Sequence, residues 1–424
     1  MTSEHRIRDI HDLIKFCKYV ASFEKGTQLS CFLVTDKKLD LFHSINLYPK
    51  VFFYSPKTRQ HKILVGDIKD PTIVNKNGIY YGGKAFPSKK TSKEWDAFAN
   101  EKWFWPFIHL SWKKKGATAT VTSSEELNLF LKKPPTDVMT PKITYPIIVS
   151  RSDVPNKKEW SEAVLKAQKK ISDSTIKKVV LSRETRIQFS DCSTIHSLVN
   201  EWVSISKNHY VYYLCLDKED AFLSLSPETL FHRKGRIIAS DALAGTSLKN
   251  ENPEINANLE KIFRNTQKEV HEQDVVKQMI KEGLSRICVD TPKESPLSVM
   301  KLTHIQHLLT VISGTLKEEI EDSEIIDTIF PTPAVAGTPT DKALSTIDEL
   351  EPHHRGWYAG ILGIFEEDET ECIVAIRSMR FCKSTCLFYA GAGIVKESSW
   401  ENEWNEVENK LMGYFNNKHH VISR

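Results

Sequence analysis

The stretch LFYAGAGIVKESSWENEWNEVENK, Leu387 to Lys410, reads as an apolar strand running into a glycine turn and then a helix. Gly391 and Gly393 remove side chains from the turn, so backbone N–H groups can approach a negatively charged ligand. Beyond it, Ser398 or Ser399 suits an N-cap, and Trp404, Val407 and Leu411 recur at helical spacing. Glu403, Glu406 and Lys410 stand three and four residues apart and therefore share one helix face. A glycine turn beside paired carboxylates suits an anion held together with a divalent cation. The same residues also suit a hairpin followed by a solvated helix with a Glu-to-Lys pair.

Upstream, GWYAGILGIFE and ECIVAIRSMRF are strand-like and are joined to CLFYAGAGIV by short polar connections that favour antiparallel pairing. Before them lie the turn-rich FPTPAVAGTP, a helix over Asp341 to Leu350, and the strand-like LLTVISGTL. Asn256 to Leu284 reads as one long charged helix with Val275, Val276, Met279 and Ile280 as its apolar stripe. KVVLSR, HYVYYLCL, AFLSLS and SPETLFHRKGRIIASDALAGT supply further strands and turns, with helices from Lys157 through Ala167 and from Ile195 to Ile205. The N-terminal part predicts a helix near Ile7 to Phe23, then the strands CFLV, KVFFYS, HKILVGDI and GIYYGGKAF. Trp103, Trp105 and Trp112 follow strand alternation and read as packing. Lys132 to Pro146, with four prolines, is the best connection between a looser half, 1–135, and a motif-bearing half, 157–416. The expected fold is α+β: large, mainly antiparallel sheets flanked by helices, in one domain spanning 1–424.

Composition removes several function classes. With 40% hydrophobic and 27% charged residues the 424-residue chain suits a globular protein, and no run approaches an uncharged membrane span. The N-terminus MTSEHRIRDIHDL lacks the apolar core of a secretory signal, so the expected place is the cytoplasm. Eight cysteines spread along the chain suit packed thiols, and Cys382 and Cys386 lack the spacing of a zinc or redox motif. A net charge of +3 is too mild to indicate nucleic acid. No GxGxxG or GxxxxGK[ST] motif supports a nucleotide cradle. The expected partner is a small molecule, and the expected state a monomer or weak dimer.

Nine segments in order, KVVLSR, LSPETLF, ALAGT, HLLTVISG, PTPAVAG, RGWYAG, VAIRS, YAGAGIV and EWNEVENK, resemble the chorismate-utilising enzymes. That family includes isochorismate synthases, salicylate synthases, the large subunit of anthranilate synthase and aminodeoxychorismate synthase. The resemblance implies a single large two-layer α/β sandwich, both halves giving strands, with the site in a deep cleft. It further implies Mg²⁺, held by Glu272 of VHEQDVV and Glu406, with Glu403 and Glu269 one turn earlier completing the shell through water. Carboxylates with retained waters are what this small hard cation prefers.

By the same resemblance, Arg377 clamps one carboxylate of chorismate with a planar guanidinium. Backbone N–H groups at Gly391 and Gly393, with Tyr389, hold the other end, while Gly245, Thr246 and Ala334 also meet substrate. Lys410 tethers Glu406, and His307 hydrogen-bonds near the ring hydroxyl and enolpyruvyl group; His304 has no role. Lys178 is expected to activate water for attack at ring C2, and Glu228 to protonate the departing C4 hydroxyl. The base must be neutral, through burial or nearby cations, and the acid must keep its proton near neutrality.

Within the family, amine-forming members usually lack a lysine at the Lys178 position. Ala244 stands where aminodeoxychorismate synthases carry a nucleophilic lysine, and Ala334 where salicylate synthases tend to have threonine. These features favour an isochorismate synthase, whose product can feed menaquinone or other quinone, siderophore or another biosynthesis. A salicylate synthase that also expels pyruvate and a silent binding homologue are the alternatives. Ala242, Phe330 and Gln273 depart from the usual proline, histidine or glutamine, and histidine, and none of these removes a catalytic group.

Overall fold

Alternation in two neighbouring strands sets the layering. In Lys50–Ser55 and Val211–Cys215, the cross-strand partners Val51 with Leu214 and Phe53 with Tyr212 point into one core. Phe52 and Tyr213, directly opposite each other, point into a second core on the reverse face. A sheet apolar on both faces must be covered on both. One face meets another sheet, through residues such as Tyr81, Leu362 and Ile364. The other is packed by the helices Ile10–Ala21, Glu125–Lys132 and Ile195–Ile205.

The computed structural model describes residues 5–70, 78–132, 134, 147–173, 175–191, 195–205, 208–250, 252–302 and 305–412. His304 and nearly all of the expected connection Lys132 to Pro146 lie outside them. Among the described residues the first sheet has 13 strands and the second nine, and both draw strands from both halves of the chain. The centre of the first runs Lys50–Ser55, Val211–Cys215, Asp220–Ser224, Ser378–Cys382, Thr385–Ile394, Lys178–Phe189. The second runs Ile305–Thr315, Ile237–Leu248, Thr229–Lys234, Glu369–Val374, Ile361–Phe365, Tyr80–Lys84. All these neighbours are antiparallel. No helix among the described residues is long and apolar enough to cross a membrane.

Three sequence readings are corrected. ECIVAIRSMRF is not one strand: it leaves the second sheet after Val374 and enters the first at Ser378. SLSPET makes the same passage, from Ser224 in the first sheet to Thr229 in the second. These two strands are partners on both sides of the gap, so the pair changes sheets together. The backbone groups released from the ladders are retied locally. Leu225 N–H donates to the Arg377 carbonyl (3.1 Å), and Val374 N–H to that of Glu228 (3.2 Å). Ser224 Oγ donates to the Ile376 carbonyl (2.8 Å), and Ser226 Oγ to that of Val374 (2.6 Å) while accepting from Glu228 N–H (3.1 Å).

Second, the long charged helix is two, Pro253–Phe263 and Gln267–Ile287, each preceded by a capping position in extended backbone, Asn252 and Thr266. The break lets the second helix lay Val276, Ile280 and Leu284 on the core while Glu269 and Glu272 face inward. Third, Gly391 and Gly393 form no turn. They lie within the strand Thr385–Ile394, opposite Ser182 and Val180, and the turn comes at 395–399, before the helix Trp400–Met412.

Ser226→Ala would leave the buried Val374 carbonyl and Glu228 N–H short of a partner. The expected loss is about 1–3 kcal/mol, read as a lower urea midpoint at unchanged slope; a midpoint equal to the parent's would show that the crossover does not depend on this hydroxyl.

Candidate active site

The double crossover delivers two side chains to one cavity. Glu228 ends one passage and is 2% exposed. Arg377 ends the other with φ +50°, a left-handed conformation unusual for a residue with a Cβ. Such backbone costs about 1–3 kcal/mol and collects at functional sites. The same cavity is lined by Lys178, Gly245, Thr246, Glu269, Glu272, His307, Ala334, Tyr389, Gly391, Gly393, Glu403, Glu406 and Lys410. All the residues expected at the site thus line one cavity, from nine separate segments.

Lys178 begins the strand Lys178–Phe189 and is buried, with its ammonium paired to the Glu272 carboxylate. The expected burial is present, and the near neighbour is an anion rather than a cation. A Cβ on Gly393 would lie 2.4 Å from Lys178 Cε, so this glycine makes room for the lysine. Gly391 does the same for the Tyr358 hydroxyl, 2.9 Å from where its Cβ would stand. The glycine N–H groups remain available in another way. Val180 N–H donates to the Ala336 carbonyl and Ser182 N–H to Glu351. Both therefore turn their backbone groups away from the glycines opposite, which makes these the non-hydrogen-bonded pairs of the ladder. Gly391 and Gly393 point their N–H groups to the other side, where pairing with Ser378–Cys382 has ended at Tyr389.

Burial, then the nearby Asp241 carboxylate, pushes Glu228 from 4.5 up to about 8; the Thr332 hydroxyl (3.4 Å) and Lys178 pull less strongly the other way. At neutral pH it holds its proton. Asp241 is itself buried and receives two 2.7 Å bonds from Lys57, on the hairpin turn between Lys50–Ser55 and Gln60–Val65. Burial and Arg377 push His307 down to about 3, so it is neutral. Its Nδ1 stands 2.8 Å from the Gly245 carbonyl, which can only accept, so Nδ1 carries the proton and Nε2 is an acceptor. A register shift between Ala244 and Ser247 marks a bulge, where Thr246 N–H donates to Glu269 (3.0 Å). Gly245, at φ +70°, admits that carboxylate.

On the helix Trp400–Met412, Lys410 donates to Glu406 (2.7 Å) and to the Gly391 carbonyl (2.8 Å). Glu403 accepts from Ser398 Oγ (2.7 Å). Arg151 and the buried Arg183 both grip Glu408, and Arg183 stacks on Trp404 (4.1 Å), which fixes the helix on the sheet. Glu269, Glu272, Glu403 and Glu406 thus present hard oxygen donors to one cavity from two helices. Among the described residues no three His, Cys, Asp or Glu form a closed metal cluster. The donor set fits a cation that keeps water or ligand oxygens, as Mg²⁺ does.

Tyr389, expected beside the substrate, lines the cavity with its ring, stacked on Tyr358, while its hydroxyl donates to Glu184 (2.8 Å). Sequence reading passed over Tyr358, Thr332, Asp241 and Lys57. Asp241 carried a signal, since a carboxylate inside an otherwise apolar strand is rarely buried without a partner.

Residues 55–416 match the family model described as chorismate binding enzyme. Isochorismate synthase MenF of Bacillus subtilis is 30% identical over 345 residues, 78% of this chain and 73% of that protein. The chloroplastic isochorismate synthase 2 of Arabidopsis thaliana is 35% identical over 280 residues, 65% of this chain, which spans about half of that relative (49%). The structure of MenF, the menaquinone-specific isochorismate synthase of Escherichia coli, matches in fold with a TM-score of 0.84 at 24% identity, over 96% of this chain and 97% of that one.

The Glu228 shift has a thermodynamic consequence. A carboxyl whose folded value exceeds its ordinary 4.5 favours folding when protonated, so its contribution is complete below about pH 4.5 and vanishes as pH rises through about 8. Glu228→Gln, permanently neutral, should lose less melting temperature than the parent between pH 5 and pH 9; parallel curves would mean the carboxyl is not held protonated.

Proposed function

The chain belongs to the chorismate-binding enzyme family, and from that membership we propose that it is an isochorismate synthase, converting chorismate to isochorismate. The observation that carries this reading is a buried acid, Glu228, held protonated in the same cavity as the lysine Lys178. Lys178 takes a proton from water as the water oxygen bonds to ring C2. The ring double bonds shift, the C4–O bond breaks, and Glu228 gives its proton to the departing hydroxide. One water is consumed and one released. Hydroxide leaves poorly without such an acid.

The other residues bind and orient. Arg377 meets one substrate carboxylate with paired donors, and the N–H groups of Gly391 and Gly393 meet another acceptor. His307 offers Nε2 as acceptor to a substrate hydroxyl, with Thr246 and Gly245 fixing its ring. Glu272 and Glu406 would hold Mg²⁺, with Glu269 and Glu403 beside them. Bound there, the cation neutralises substrate carboxylate charge that the surrounding glutamates would otherwise repel. Ala334 stands where the resemblance puts threonine in salicylate synthases, and the relatives described above are isochorismate synthases, so the salicylate synthase alternative is not favoured.

Purified protein with chorismate and magnesium should yield isochorismate, detected by coupling to an isochorismate-consuming enzyme, without salicylate or pyruvate. Lys178→Ala should lower turnover by at least about 10²-fold and keep Mg²⁺-dependent chorismate binding; normal turnover would remove the base. The parent's kcat/KM should fall on the alkaline side as Glu228 loses its proton near pH 8, and a profile flat to pH 10 would count against the acid.

A further inference from the structure

Lys178 and Glu272 stand between two cavities. The catalytic cavity lies on one side. On the other is a larger one of 490 Å³, which Lys178, Glu272 and Gly393 also line. Its rim carries the exposed side chains Lys177, Lys396 and Glu397, with His271 beside them, so it opens to solvent. Its walls include Val275 and Val395, from the helix Gln267–Ile287 and the turn after the strand Thr385–Ile394.

The proposed reaction consumes water at C2, beside Lys178, and releases water at C4, beside Glu228. With chorismate seated, the catalytic cavity is filled between those two points. Lys178 is only 7% exposed, so water must be led to it. Gly393, which lines both cavities, has no side chain, and the Lys178 stem packs into the space a Cβ would take, so the lysine lies along the boundary between them. We infer that the second cavity is a water port, admitting the nucleophile to Lys178 from the side opposite the substrate. Its apolar walls and charged rim suit passage of water better than its retention, since ordered water needs two to four polar partners. The inference rests on the reading of Lys178 as base.

The test fills the port from either wall without touching the groups assigned to chemistry. In the full chain with Mg²⁺, the series Val275→Leu, Val275→Phe and Val275→Trp should lower kcat progressively, at least tenfold for tryptophan. The chorismate KM, the Mg²⁺ half-saturation and the chorismate-induced rise in melting temperature should stay within twofold of the parent's. Val395→Trp should reproduce the effect from the other wall, and it decides the matter should Val275→Trp fail to fold. Unchanged kcat in folded tryptophan variants overturns the port. So does a loss of kcat matched by a rise in KM or Mg²⁺ half-saturation, which would place the effect in the substrate or metal seat. Inactive Lys178→Ala with fully active port variants rejects the port alone, while active Lys178→Ala rejects the base reading beneath it.

Discussion

Two hydrogen-bonded strands cannot leave one sheet and join another unless every N–H and C=O freed in the passage finds a new partner. Here the passage at 225–228 and 375–377 meets that requirement with its own serines and with cross-bonds between the two strands. The strain of the left-handed Arg377 is held in place by ladders on both sides. A rigid gap between sheets results, and it is where the acid and the guanidinium stand. The cavity thus opens where the backbone leaves both ladders and is retied by the local bonds described above.

Charge in the cavity is balanced by position more than by number. Four glutamates on two helices face Lys178, Arg377 and Lys410 from the sheet and helix end. Each helix's carboxylate pair already has a lysine at hand, Lys178 for Glu272 and Lys410 for Glu406. Glu228 is treated differently. It is buried, given a weak hydroxyl partner in Thr332, and placed near a second carboxylate. The buried, protonated carboxyl and the carboxylates on the helices are the same residue type, set apart by environment alone.

Much of this was legible in the sequence. Helical spacing in SSWENEWNEVENK set Glu403, Glu406 and Lys410 on one face, and alternation in the strands set the layers. The motif order carried Lys178, Glu228 and Glu272 to the site, which no local pattern did, because these residues meet only after the sheets assemble. The misreadings have a common cause. ECIVAIRSMRF carries the unbroken apolar run Cys372 to Ile376, and periodicity cannot reveal that such a run leaves its sheet partway along. Gly391 and Gly393 look like turn residues to local reasoning, but the glycines were required by what stands across from them, Lys178 and Tyr358. Asp241 with Lys57 was invisible for the same reason: 184 residues separate the partners.

That last pair reaches from the least motif-rich part of the chain into the chemistry. Lys57 neutralises Asp241, whose charge acts on Glu228. A recombinant chimera taking its N-terminal portion from a distant cousin would therefore import a different counter-ion, or none, and its proton donor would be retuned although every motif survived intact. Piecemeal shuffling among such genes is constrained by an electrostatic debt between their opposite ends.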